Sequence, residues 1–83
     1  MPTVLRAGGF AFFFYAKDHE PAHVHAQNGD GTAIIEIETG HVIRKSGEIR
    51  KHEVNRAVSI VAEHRDYLHQ EWRKFALQRG AQG

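Results

Sequence analysis

In the stretch "DHEPAHVHAQNGDG", residues 18 to 31, an aspartate and three histidines fall within eight positions, ahead of a glycine-rich turn. On a β-strand, His23 and His25 at i and i+2 leave the same face roughly 7 Å apart, close enough for two imidazoles to close on one metal ion. Asp18 or His19 from the preceding loop, or Glu36 or Glu38 from a neighbouring strand, would supply a third ligand. That mixed nitrogen and oxygen set suits zinc or another borderline divalent ion. The candidate metal ligands are therefore His23 and His25, and the candidate catalytic residues are His23, His25 and Asp18.

The same residues permit a chemistry without metal. Imidazoles titrate near neutral pH and move protons, so His23 and His25 flanked by Lys17, Phe13 and Tyr15 would cleave RNA by acid-base catalysis, with the aromatic rings stacking the bases. A third arrangement needs no reaction at all. Asp18 and Glu20 would make turn hydrogen bonds while His23 and His25 pair across the sheet with Glu36 and Glu38. His41, His52, His64 and His69 are scattered, and none sits in a His-Glu-x-x-His arrangement.

The elements that must position these groups follow from periodicity. Thr3 to Arg6, then Gly8-Gly9, then "FAFFFY" read as two strands joined by a glycine turn. Phe10, Phe12 and Phe14 share one face of the second strand; Phe13 and Tyr15 share the other. Residues 16 to 21 are charged and end in proline, which predicts a loop with Glu20 extended before Pro21. His23 to Gln27, the turn "NGDG" and Thr32 to Glu38 form a second hairpin. With an even loop, Val24 and Ala26 lie beside Ala33, Ile35 and Ile37 on an apolar face. His23, His25 and Gln27 lie beside Thr32, Ile34, Glu36 and Glu38 on the open one. His41 to Lys45 reads as a short edge strand protected by Arg44 and Lys45.

From about Glu48 to Arg79 the period changes. Val54, Val58, Val61, Leu68, Trp72 and Phe75 follow a 4,3 spacing broken at Arg65, which predicts an amphipathic helix. Ser46 suits the N-cap, Glu48 the first turn and Gly80 the stop. A single helix over 48–79 would run roughly 48 Å, so it must bend near Arg65-Asp66 or project and pack on a second copy of the chain. The expected fold class is α+β: an antiparallel sheet of four to five strands in hairpin order, one face covered by one long, bent or projecting C-terminal helix.

Bulk composition narrows the classes. A length of 83 residues, 41% hydrophobic and 25% charged, predicts a single domain over 1–83, with a sheet portion at 1–45 and a helix at 46–80. No run approaches the ~18 apolar residues of a membrane span, and the absence of cysteine excludes disulfides and thiolate metal sites. A cytoplasmic location is the default expectation. A net charge of +1 disfavours a dedicated nucleic-acid binder. The charge is uneven, however: two bases oppose five acids in residues 1–42, and nine bases oppose five acids thereafter. An acidic first half and a basic second half suit docking on each other, or presenting faces of opposite sign to different partners.

The whole pattern resembles a known family. Met1-Pro2-Thr3, Tyr15, the run Asp18-His19-x-Pro21-x-His23-x-His25, the strand Ile35-Glu36-Ile37-Glu38-Thr39, and a C-terminal helix with His69 and Trp72 are similar to the bacterial domain-of-unknown-function family 4160. Ala22 and Val24 stand where that family usually carries a proline and an aromatic residue. Members are small proteins often encoded beside a member of domain-of-unknown-function family 2442. The resemblance implies an interaction module in a two-gene, toxin-antitoxin-like system, with the neighbouring gene's small product as partner. The alternative expectation is a small nuclease or metal-dependent hydrolase built on His23 and His25, with Phe13, Tyr15, His19, Glu36 and Glu38 as binding residues.

Overall fold

A computed structural model of the chain describes residues 3–15 and 18–82. Five strands, β1 (Thr3–Ala7), β2 (Phe10–Phe13), β3 (His23–Gln27), β4 (Gly31–Glu36) and β5 (Val42–Gly47), form one antiparallel sheet in the order β1-β2-β3-β4-β5. Two helices follow, α1 (Lys51–Glu63) and α2 (Arg65–Gln82). None of the described helices is long and apolar enough to cross a membrane.

Short-range chemistry sets the sheet. Gly8 and Gly9 turn the first hairpin with φ of 59° and 84°, a conformation that side chains with a Cβ rarely adopt. In the second hairpin, Asn28 Oδ1 accepts from the N–H groups of Asp30 and Gly31 at 2.9 and 3.0 Å, which locks the turn. Val24 therefore pairs with Ile35 and His25 with Ile34. A one-residue slip would have turned the apolar set outward. Gly31 is needed for a different reason: a Cβ there would run into the Ser46 carbonyl of β5.

The core lies on one side of the sheet. Phe10, Phe12, Phe14, Val24, Ala26, Ala33, Ile35 and Ile37 meet Val54, Ala57, Ile60, Val61, Leu68 and Trp72 from the helices. The expected apolar face is thus the buried one, and Val58 and Phe75 pack at its margin.

The helical region corrects the single long helix. The chain is 38 Å in its longest dimension, shorter than the roughly 48 Å of one continuous helix over 48–79. α1 closes where the His64 N–H reaches the Ile60 carbonyl at 3.0 Å, with His64 at φ −111° and ψ 24°, and α2 starts at Arg65. The break falls where the apolar spacing fails, and it lets Leu68 and Trp72 turn back onto the sheet.

The helix signals shift too. Ser46 is part of β5 rather than an N-cap, and Arg50 takes that position. Glu53 Oε1 accepts from the Arg50 N–H at 2.8 Å while its Oε2 accepts from Asn28 Nδ2 at 2.7 Å, joining the hairpin turn to the helix start. Gly80 lies inside α2, which runs on to Gln82.

Candidate metal centre

Ahead of β3, residues 18–22 lie on the open-face side of the sheet and bring Asp18 to the two strand histidines. Two bonds fix that carboxylate: the Tyr15 N–H donates to Oδ2 at 2.8 Å, and the Asp18 N–H returns to the Tyr15 carbonyl at 3.0 Å. Oδ1 then lies 3.1 Å from His23 Nε2, and His25 Nε2 lies 3.2 and 3.3 Å from Oδ2 and Oδ1. Among the described residues, Asp18, His23 and His25 are the group whose ligand atoms come together, all within 4.8 Å of one another.

The tautomer of His23 decides what this geometry means. Its Nδ1 sits 2.9 Å from the Pro21 carbonyl oxygen. A carbonyl can only accept, so Nδ1 carries the ring proton. In the neutral ring Nε2 then bears a lone pair and lies 3.1 Å from a carboxylate oxygen, two acceptors in close approach. Such a pair requires something positive between its members, either a second proton or a metal ion. Donation of the far ring nitrogen to a backbone carbonyl is also how metal-bound histidines are oriented.

Aromatic rings surround the cluster. Phe13 stacks on His25 with centroids 5.4 Å apart at 12°, and Tyr15 stands edge-on to the same imidazole at 4.4 Å and 86°. These rings bury His25 to 6% exposure, although it lies on the face opposite the core. That burial holds the imidazole below its ordinary pKa, against the opposing pull of the Asp18 carboxylate. Near neutral pH this favours the neutral ring, the form that ligates metal or accepts a proton. From the other side, Trp72 of α2 packs on His23 with centroids 5.3 Å apart, and its Nε1 donates to Glu20 Oε2 at 2.8 Å.

The remaining expected site residues lie elsewhere. His19 is exposed and outside the cluster. Glu36 stands opposite His23 in the strand register, yet the His23 ring nitrogens face Asp18 and Pro21. Glu38 lies beyond β4 and pairs with His69 of α2 at 3.1 Å. Lys17 lies outside the described residues, as do Met1 and Pro2 of the family pattern. Three contributions escaped the sequence reading: the Pro21 carbonyl, the Trp72 N–H rather than the turn backbone as the partner of Glu20, and Trp72 as a wall of the site. The Pro-x-His spacing was the visible sign of the first; Trp72 was read only as core.

No curated protein and no solved structure matches the chain. One family model does, over residues 9–73, a span that holds the whole Asp18–His23–His25 cluster and Trp72. With most of its length matched, the chain belongs to the family described as domain of unknown function (DUF4160).

Proposed function

We propose that this protein holds one divalent metal ion, of the zinc class, between His23 Nε2, His25 Nε2 and the Asp18 carboxylate, and that it is a small metal-dependent hydrolase. The observation that carries the reading is the unprotonated His23 Nε2, 3.1 Å from Asp18 Oδ1, with the ring proton committed to Pro21. A proton on Nε2 would serve that one pair, but a third donor, His25 Nε2, converges on the same carboxylate. Three converging donors suit a multivalent ion. Zinc bonds of about 2.0–2.1 Å in a tetrahedron place ligand atoms about 3.3 Å apart, close to the 3.1–3.3 Å between the carboxylate and the two imidazoles.

Two further features suit catalysis rather than a sealed structural site. Three protein ligands leave a fourth vertex for water, and an ion held in this way acidifies that water enough to make it a nucleophile near neutral pH. The side chains of His23, Asp18 and His25 keep 14, 10 and 8% exposure, largely withdrawn from solvent but not closed off. The test is hydrolysis of activated phosphate and carboxylate esters by purified protein with and without added zinc. Turnover should require metal and vanish in His23→Ala and Asp18→Asn; esters left intact by the zinc-loaded protein would overturn the hydrolase reading.

As a second reading we propose the partner-binding role that the family resemblance implies. What supports it is the edge strand β5, whose residues from Ile43 to Gly47 are exposed and whose Ile43 is 46% exposed. A free edge with an apolar side chain invites strand addition by another chain. Co-expression with the product of the neighbouring gene should give one gel-filtration peak; two separate peaks at micromolar concentration would count against it.

A further inference from the structure

We propose that the open face of the sheet beside the cluster binds a phosphate ester about the size of one nucleotide, with Arg44 holding the phosphate and Tyr15 supporting the ring. As the identity of a substrate this rests on the hydrolase reading; as a binding site it stands on its own observations.

The strand register builds the site. Phe13 pairs with His25, His25 with Ile34 and Ile34 with Arg44, one row across four strands on the face away from the core. The next row runs from Gln27 through Thr32 to Ser46. Between them a cavity of about 300 Å³ is lined by Tyr15, His25, Thr32, Ile34, Arg44 and Ser46. His25 belongs to both the cluster and the cavity.

The lining selects its ligand by charge and shape. It contains a guanidinium and the three hydroxyls of Tyr15, Thr32 and Ser46 but no carboxylate, so it favours an anion rich in acceptor oxygens. Arg44 makes no ion pair among the described residues. Its planar fork of N–H donors can hold two phosphate oxygens at once through parallel hydrogen bonds. Tyr15, 42% exposed, is fixed by its backbone bond to Asp18 and by edge contacts with Phe13 and His25. A ring held still beside a phosphate position is a stacking platform.

Size and charge favour a small ligand. A cavity of 300 Å³ lies at the low end of the roughly 300–1,000 Å³ typical of small-molecule sites, and the net charge of +1 gives little electrostatic hold on a polymer. Hydrolysis at this position balances with water alone. The water oxygen stays on phosphorus, the ester P–O bond breaks, and one water proton leaves on the alcohol.

The test is an NMR titration of isotope-labelled protein with adenosine 5′-monophosphate, inorganic phosphate and adenosine, first in chelator and then with zinc. The monophosphate should shift the amides of Thr32, Ile34, Arg44 and Ser46, and either fragment should bind at least about tenfold more weakly. Arg44→Ala should weaken it at least about tenfold with the fold intact, and Arg44→Lys should recover part of the loss. Binding that persists in chelator and in His23→Ala supports this site even where the metal reading fails. Unshifted amides at about 10 mM monophosphate, phosphate binding as tightly as its ester, or unaltered binding to Arg44→Ala would each overturn the proposal.

Discussion

His23 Nε2 and Asp18 Oδ1 lie 3.1 Å apart while the other nitrogen of the same ring donates to the Pro21 carbonyl. One ring is thus oriented by its own loop two residues upstream, and the loop also carries the carboxylate it addresses. The arrangement couples local backbone geometry to site chemistry, since the loop cannot move without turning the imidazole.

The pH dependence of the metal-free protein follows from His25. Burial lowers its folded-state pKa below the ordinary value, so in acid the unfolded chain binds a proton that the folded chain refuses. Stability is then full above about pH 6.5 and falls as the pH drops from there toward the folded pKa, by at most about 1.4 kcal/mol per pH unit. Pairing with Glu36 and Glu38 would have given the opposite sign. Urea unfolding in chelator between about pH 5 and 8 should show this slope in the wild type and a flatter one in His25→Gln. Equal slopes would remove His25 from the account.

Trp72 should act as a support of the site. Its ring packs on His23 and its N–H ties down Glu20 in the loop that carries Asp18. Trp72→Phe keeps an aromatic ring in the core but frees Glu20. Zinc affinity should fall about tenfold or more, the range seen for outer supports of metal ligands, with the circular dichroism spectrum unchanged. Undiminished affinity would assign Trp72 to the core alone.

Phe12 tests the core face. It is fully buried on the core face of β2, and Phe12→Ala should cost about 3–5 kcal/mol, much of the roughly 4–12 kcal/mol expected for a chain of this length. Phe12→Leu should remain folded. Urea midpoints check both, and a Phe12→Ala protein of wild-type stability would contradict the assigned face.

Much of this fold was legible because its signals are local. The alternation at Val24, Ala26, Ala33, Ile35 and Ile37, together with the Asn28-Gly29 turn, defines both the register and the buried face. The helix break at His64 was only half legible: Arg65 interrupts the spacing, but a turn that brings Leu68 and Trp72 back onto the sheet depends on long-range packing. The site was harder for the same reason. Parity places Glu36 beside His23 as firmly as it places His25 there, and no periodicity shows that residues 18–22 fold back. The choice of Asp18 over Glu36 and Glu38 comes from the backbone bond to Tyr15 and the Pro21 carbonyl, tertiary details of one loop. His25 looked exposed because strand alternation knows nothing of Phe13 and Tyr15 closing over it.

The most direct measurement is a zinc titration of chelator-stripped protein at about pH 7.5, followed by the fluorescence of its single tryptophan, whose ring lies 5.3 Å from that of His23, and by calorimetry. Titration should give one ion per chain with proton release, a fluorescence change on binding, and affinity reduced at least about a hundredfold in each of Asp18→Asn, His23→Ala and His25→Ala. A wild-type protein that binds no zinc, or a His23→Ala variant that binds it as tightly as the wild type, would contradict the metal centre.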